Sequence, residues 1–270
     1  MNSKRLTDAI LSTDPNTGVW KSRFRAAKAA YEEGKLKESE SLLHRALEEA
    51  KQLPEHAFAT NTTQVGLGVV YLAEGRTDEA YQILQQAVNS LRGQSEPALK
   101  ELYGVALRFF ANLIFEKGQF EQAESMLQES INVLEDIGTD GALQLCYTLS
   151  DLAIMYVKHG MMKDAADVID EMGELAGLVF GPNSPEYIRM NLIYQLCHTK
   201  SETELVAAVE DSITKMRYLR GEQHPRVKEA IRLFLEKLHQ SGDTAAIKEV
   251  EQLFGSVNGN SNGVLNSYQT

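Results

Sequence analysis

The sequence predicts an all-α protein, a right-handed α-solenoid superhelix of about six helix-turn-helix repeats. Three observations carry that expectation. One phrase returns four times around a glycine: Tyr31-Glu-Glu-Gly34-Lys-Leu-Lys-Glu38-Ser39, Leu72-Ala-Glu-Gly75-Arg-Thr-Asp-Glu79-Ala80, Phe115-Glu-Lys-Gly118-Gln-Phe-Glu-Gln122-Ala123 and Val157-Lys-His-Gly160-Met-Met-Lys-Asp164-Ala165. These glycines lie 41, 43 and 42 residues apart, a period that belongs to stacked supersecondary units instead of one globular core. All six prolines, Pro15, Pro54, Pro97, Pro182, Pro185 and Pro225, fall between the periodic stretches or ahead of them. Proline inside a helix costs about 3 kcal/mol, so its placement punctuates.

Each repeat resolves into two helices. The stretch before the glycine carries an apolar stripe at helical spacing, Leu107, Phe110, Ala111 and Ile114 in the third repeat and Leu149, Leu152, Ala153 and Tyr156 in the fourth. A second amphipathic stretch follows the glycine, as in Phe120, Ala123, Met126, Leu127, Ile131 and Leu134. The glycine suits the left-handed conformation that closes a helix C-terminus. Small residues mark where the paired helices approach: Ala27, Gly68, Ala111 and Ala153 on helix A, and Ser39, Ala80, Ala123 and Ala165 on helix B. Larger side chains there would force the pair apart at about 1–3 kcal/mol.

The expected boundaries are an N-terminal arm over 1–19, with one helical turn at Leu6–Leu11, and a solenoid over 20–254. Its units run 20–53, 54–95, 96–138, 139–180, 181–220 and 221–254, and a polar tail expected to be disordered covers 255–270. The last two units are degenerate. The fifth has no turn glycine, and Ile247 replaces the usual alanine in the sixth. Weak end units are normal in an array whose last member has no neighbour to receive.

Composition narrows the function classes. The chain has 27 basic and 38 acidic residues among 270, a net charge of −11. That argues against nucleic acid or an anionic membrane as partner, since both need a basic footprint. Cys146 and Cys197 sit alone in apolar runs, and are expected to be buried reduced thiols. No stretch approaches the roughly 18 apolar residues of a membrane span. The opening Met1-Asn-Ser-Lys-Arg-Leu-Thr-Asp lacks a signal-peptide core, so a cytoplasmic protein is expected. The six histidines are dispersed, and no HExxH, GxSxG, Walker A or GxGxxG motif occurs. No catalytic residue, metal or cofactor is therefore expected. Gly66-Leu-Gly68 falls inside a helix A, where close helix packing accounts for it.

The pattern of small residues around a Gly-x-apolar-x-Glu-Ala turn resembles the tetratricopeptide repeat. A period near 42 is similar to the longer repeats of kinesin light chains. The connectors Phe180-Gly-Pro-Asn-Ser184-Pro-Glu-Tyr187 and Arg220-Gly-Glu-Gln-His224-Pro-Arg-Val227 resemble the Gly-x-x-His-Pro-x-Val connector of that family, with Ser184 in the histidine place. The resemblance spans roughly residues 20–254.

The resemblance implies a non-enzymatic scaffold or adaptor that holds a protein or peptide segment in a groove lined by exposed helix A residues. On this chain these are Lys21, Phe24, Arg25, Lys28 and Glu32, then Val65, Val69 and Leu72, then Arg108, Phe109, Asn112 and Phe115, then Tyr147, Ser150, Asp151, Ile154 and Lys158. Arg108 and Asn112 resemble half of a carboxylate clamp, the cation meeting a carboxylate and the amide a backbone. The other half is absent, because valines stand at the matching positions of the second repeat. Other fates stay open: the apolar positions packing on the N-terminal arm or a second subunit, Arg108 pairing with Glu101 or Glu116, and a homodimer forming through end repeats. The alternative function is a peptide-responsive regulator. Regulators of this fold generally carry an N-terminal helix-turn-helix, for which residues 1–19 are too short.

Overall fold

The structure is a computed structural model and describes residues 15–53, 56–198, 201–219, 232–236 and 248. Among the described residues every regular element is helical. Ten α-helices follow one another: α1 (Pro15–Glu32), α2 (Leu36–Ala50), α3 (His56–Ala73), α4 (Thr77–Leu91), α5 (Pro97–Glu116), α6 (Phe120–Asp136), α7 (Ala142–Lys158), α8 (Met162–Phe180), α9 (Pro185–His198) and α10 (Glu202–Leu219). The chain divides into two compact units, residues 1–148 and 149–270. The expected repeat of helix A, turn and helix B is thus the observed architecture.

Four turns are built identically. Gly34, Gly75, Gly118 and Gly160 have φ of 76°, 73°, 79° and 82°, a region that residues with a Cβ avoid. The next residue's amide reaches back five residues: Lys35 to the Ala30 carbonyl, Arg76 to Tyr71, Gln119 to Ile114 and Met161 to Tyr156, at 2.8–3.2 Å. This bond satisfies a carbonyl that the helix end would otherwise orphan. Helix B then starts one residue later.

In the first unit the hairpins close on the small residues expected from sequence. Ala27, Ala80, Ala111 and Ala123 have no exposed surface. The Ser39 hydroxyl donates to the Ala27 carbonyl at 2.8 Å, so the serine in the alanine site both fits and bonds. A Cβ added at Gly68 would lie 2.6 Å from Leu84, and one at Gly104 would lie 2.8 Å from Leu134. The hairpins stack in chain order: α2 packs on α3, α4 packs on α5, and α3 also touches α1 and α5. Trp20 is 2% exposed and anchors the first stack. Its indole N–H donates to the Thr63 hydroxyl at 2.9 Å, which itself donates to the Ala59 carbonyl.

In the second unit α8 packs on α9 and α9 on α10. Ala165, Ile169, Met172 and Ala176 form the buried stripe of α8. Ser184 begins α9: its hydroxyl accepts the Tyr187 amide at 3.1 Å, an N-cap that serine provides well.

Helix α1 begins at Pro15, inside the stretch expected as a loose arm. The fixed proline φ and missing N–H suit a first helical residue, and Pro97 and Pro185 open α5 and α9 in the same way. The helical turn expected at Leu6–Leu11, the residues Pro54 and Pro225, the His224 connector, Ile247 and the tail over 255–270 lie outside the described residues. Of the sixth repeat only 232–236 and 248 are described, and they are helical.

Candidate partner-binding faces

On α1, Lys21, Arg25 and Lys28 follow at spacings of four and three, which places them on one stripe of the helix. Arg25 and Lys28 are exposed, whereas Lys21 is only 6% exposed. Burial, and secondarily the Arg25 guanidinium, lower the Lys21 pKa. Lys28 meets Glu32 at 3.8 Å with both side chains mostly solvated. Phe24 turns the other way. Its ring lies 5.8 Å from that of Trp20, and it packs on the buried cluster of Ala46, Ala50, Leu53 and Ala59. It also fills the space a side chain on Gly66 would need, 3.3 Å from that Cβ position. Phe24 is therefore a packing residue of the first stack.

On α3, Val65 is buried, while Val69 and Leu72 are half-buried. On α5, Arg108 is 3% exposed. Its guanidinium lies 4.4 Å from the Phe109 ring centre and 5.5 Å from that of the half-buried Tyr147, an arrangement that stabilises the cation by its attraction to the rings. Asn112 and Phe115 are half-buried, and the Phe115 ring sits edge-on to Phe120 at 6.4 Å.

In the second unit Ser150, Asp151 and Ile154 are buried and Lys158 is exposed. The two polar ones are engaged by Arg189 of α9. Its Nη1 donates to the Ser150 hydroxyl at 2.8 Å and its Nη2 to Asp151 Oδ1 at 3.1 Å. With side chains 3% and 9% exposed, the ion pair is held away from water, where losing one member is costly.

The resemblance implied that all these side chains face solvent, and the structure corrects that for six of them: Lys21, Val65, Arg108, Ser150, Asp151 and Ile154 are buried. For Arg108, Ser150 and Asp151 the physical reason is packing against neighbouring side chains. Arg108 is held against rings, and Asp151 and Ser150 are consumed by Arg189. Sequence reasoning missed Arg189 altogether, although a lone cation inside Ile188-Arg-Met190 of an apolar helix was a signal. It also missed the turn network around Arg76. That guanidinium meets Glu40 at 2.6 Å, Glu74 at 2.8 Å and Glu79 at 2.5 Å, and lies 4.2 Å from the Tyr71 ring centre. Lys37 adds bonds to Glu74 and Glu40. The network ties α2 of the first hairpin to the turn of the second.

Among the described residues no group of three or more His, Cys, Asp or Glu side chains could hold a metal. Cys146 is fully buried, which pushes its thiol up to about 12. No described helix is long and apolar enough to cross a membrane.

Residues 65–98 match a tetratricopeptide-repeat family model. The fold superposes on aspartyl phosphate phosphatase F from Bacillus subtilis with a TM-score of 0.73 at 13% identity. The match covers 94% of this chain, which spans only 62% of that one. The Rap conjugation gene regulator of plasmid pLS20, in complex with the Phr* peptide, gives a TM-score of 0.72 at 15% identity, covering 93% of this chain and 66% of that one. A variant form of the kinesin light chain TPR-like repeats of Podosopora anserina gives 0.55 at 16% identity, covering 74% and 95%. No curated protein sequence matches the chain. At such identities the likeness is one of fold. With four identically built turns and the family match, residues 65–98 are a tetratricopeptide repeat, and the fold is similar to that of other tetratricopeptide-repeat-like helical arrays.

Proposed function

We propose that this protein is a non-enzymatic interaction module that captures a segment of a protein partner on the A-helix face of its first unit. The observation that carries this reading is the half-buried row Val69, Leu72, Phe109, Asn112 and Phe115 on α3 and α5. A solvated helix face would be charged at such positions, and a finished core would cover them. Aromatic and apolar anchors give binding energy in helix-in-groove and extended-peptide recognition, and an amide gives orientation.

The test is co-purification with the untagged protein and with Leu72→Glu, followed by calorimetric titration of the partner so identified. A partner that binds wild type and not Leu72→Glu, with the helical circular dichroism unchanged, supports the reading. Partners that bind both equally, or that respond instead to Glu48→Ala/Glu49→Ala on α2, overturn it.

A second reading, a peptide-responsive regulator, is favoured by the pLS20 regulator, a protein of similar fold that holds a peptide. It predicts that a short peptide suffices for binding and changes the scattering profile of the whole chain. A scaffold would bind its partner segment without that change.

A further inference from the structure

We propose that the outer face of α4 is a contact with a second copy of this chain, two α4 helices lying antiparallel across a two-fold axis that passes between Gln85 and Gln86. The contact uses a helix B and goes beyond the A-helix reading above.

Helix α4 differs from its neighbours in charge. From Ala80 to Leu91 it holds no Asp, Glu, Lys or Arg, in a chain where such residues make up 24%. Gln82, Gln85, Gln86 and Asn89 are all exposed, and their helical spacing places them on one stripe. By contrast α2 exposes Arg45 and Glu48, and α6 exposes Glu121 and Glu135.

That neutrality selects the partner. With a net charge of −11, two copies repel each other wherever acids dominate, and the α4 stripe lacks that barrier. An amide side chain both donates and accepts hydrogen bonds, so a row of amides is complementary to itself. A two-fold contact requires that residue i meet j while j meets i. Reversing α4 about the midpoint of Gln85 and Gln86 sets Gln82 against Asn89 of the second copy. It also brings Asp78 beside Arg92 of the second copy, so opposite charges meet at both ends. A parallel pairing would set Asp78 against Asp78 and Arg92 against Arg92.

The two end charges are available for this. The Asp78 and Arg92 side chains are 90% and 61% exposed. Within the chain Asp78 meets Lys117 at 3.3 Å. Arg92 reaches Glu129 at 4.0 Å, and its Nε donates to the Tyr103 hydroxyl at 3.1 Å. Exposed pairs of this kind hold their members weakly. One helix pair is narrower than a standard interface of roughly 1,200–2,000 Å², so the dimer is weak and forms as concentration rises.

Sedimentation equilibrium of the full chain over a concentration series tests the contact, with unchanged helical circular dichroism verifying each variant. Wild type should dimerise. Asp78→Arg and Arg92→Asp should each associate at least about tenfold more weakly, because each sets like charges together at both ends. An equimolar mixture of the two should regain the dimer, one variant bringing cations to both ends and the other carboxylates. A net-charge effect alone would instead strengthen Asp78→Arg, and that result counts against the contact. Gln85→Glu/Gln86→Glu should abolish association by gathering carboxylates at the axis, whereas Leu72→Glu should leave it intact. A wild type that stays monomeric, variants that associate like wild type, or a mixture no tighter than its components would overturn the inference. So would loss of the dimer in Leu72→Glu, which would move the contact to the A-helix face. None of these results bears on whether a partner is captured at Leu72.

Discussion

Replacing Gly68 by alanine should destabilise the protein, although alanine is the better helix former. In an exposed helix interior the change gains about 0.5–1 kcal/mol. At Gly68 the new Cβ would lie 2.6 Å from both Cγ and Cδ2 of Leu84 and 3.2 Å from its Cδ1. Ordinary carbon contacts are about 3.5–4.0 Å, so Leu84 must retreat by roughly 1 Å. It has no exposed surface and no room to do so, and overpacking of this kind costs about 1–3 kcal/mol. The net expectation is a loss of about 1 kcal/mol. Gly173 is the control. It lies within α8 and a Cβ there meets nothing within 4 Å, so Gly173→Ala should stabilise by about 0.5–1 kcal/mol. The assay is urea unfolding followed both by helical circular dichroism and by Trp20 fluorescence, since a repeat chain need not unfold in one step. Trp20 bonds to α3, the helix that carries Gly68, and reports its stack directly. In a Leu84→Ala background the clash is removed and Gly68→Ala should become neutral or favourable, a coupling that a double-mutant cycle measures. Equal effects at the two glycines, or a penalty at Gly68 that persists without Leu84, would refute the argument.

Glu101 is pushed up to about 7 by burial and then by Asp140. A carboxyl whose folded pKa is raised binds its proton more tightly in the native state, so its contribution is complete below the ordinary 4.5 and is lost as pH rises through about 7. Glu101→Gln should therefore match wild type in acid and exceed it in stability above neutrality; parallel pH profiles from urea melts would sink this. Ala123→Leu should cost about 1–3 kcal/mol by forcing α5 and α6 apart, and an unchanged melt would remove Ala123 from the hairpin contact. Asp151→Ala should cost on the order of 3 kcal/mol, because it takes the carboxylate from a buried Arg189, and Asp151→Asn should cost less. A loss under about 0.5 kcal/mol in the alanine variant would mean that the pair is solvated.

The repeat was legible in the sequence because its determinants are local. A turn that needs φ near 75° selects glycine wherever it occurs, and a close helix crossing selects Ala or Ser at one fixed distance from it. These constraints act within about twenty residues, and so return at each period with the same letters. The hairpin contacts Ala27–Ser39 and Gly68–Leu84 follow from them. What was not legible depends on which helix covers which stripe. Val65 and Leu72 sit on one stripe seven residues apart, yet one is buried and the other half-buried. Helical periodicity assigns both the same face and knows nothing of the neighbour's width.

Charged residues show the same limit more sharply, and bear on where binding can occur. Arg108 and Asn112, four apart on α5, satisfy the spacing of a clamp, and a stability-neutral double alanine variant would follow if both faced solvent. The structure places the Arg108 guanidinium against the rings of Phe109 and Tyr147 with 3% of the residue exposed. Removing it vacates a packed position and takes a cation from two aromatic faces, so Arg108→Ala should lower stability as well as any binding. Arg25 and Lys28 reverse the case: they are exposed and stand clear of the core, so changes there read binding without reading folding. Arg25 and Lys28 are thus the cations at which a loss of binding can be read apart from a loss of stability.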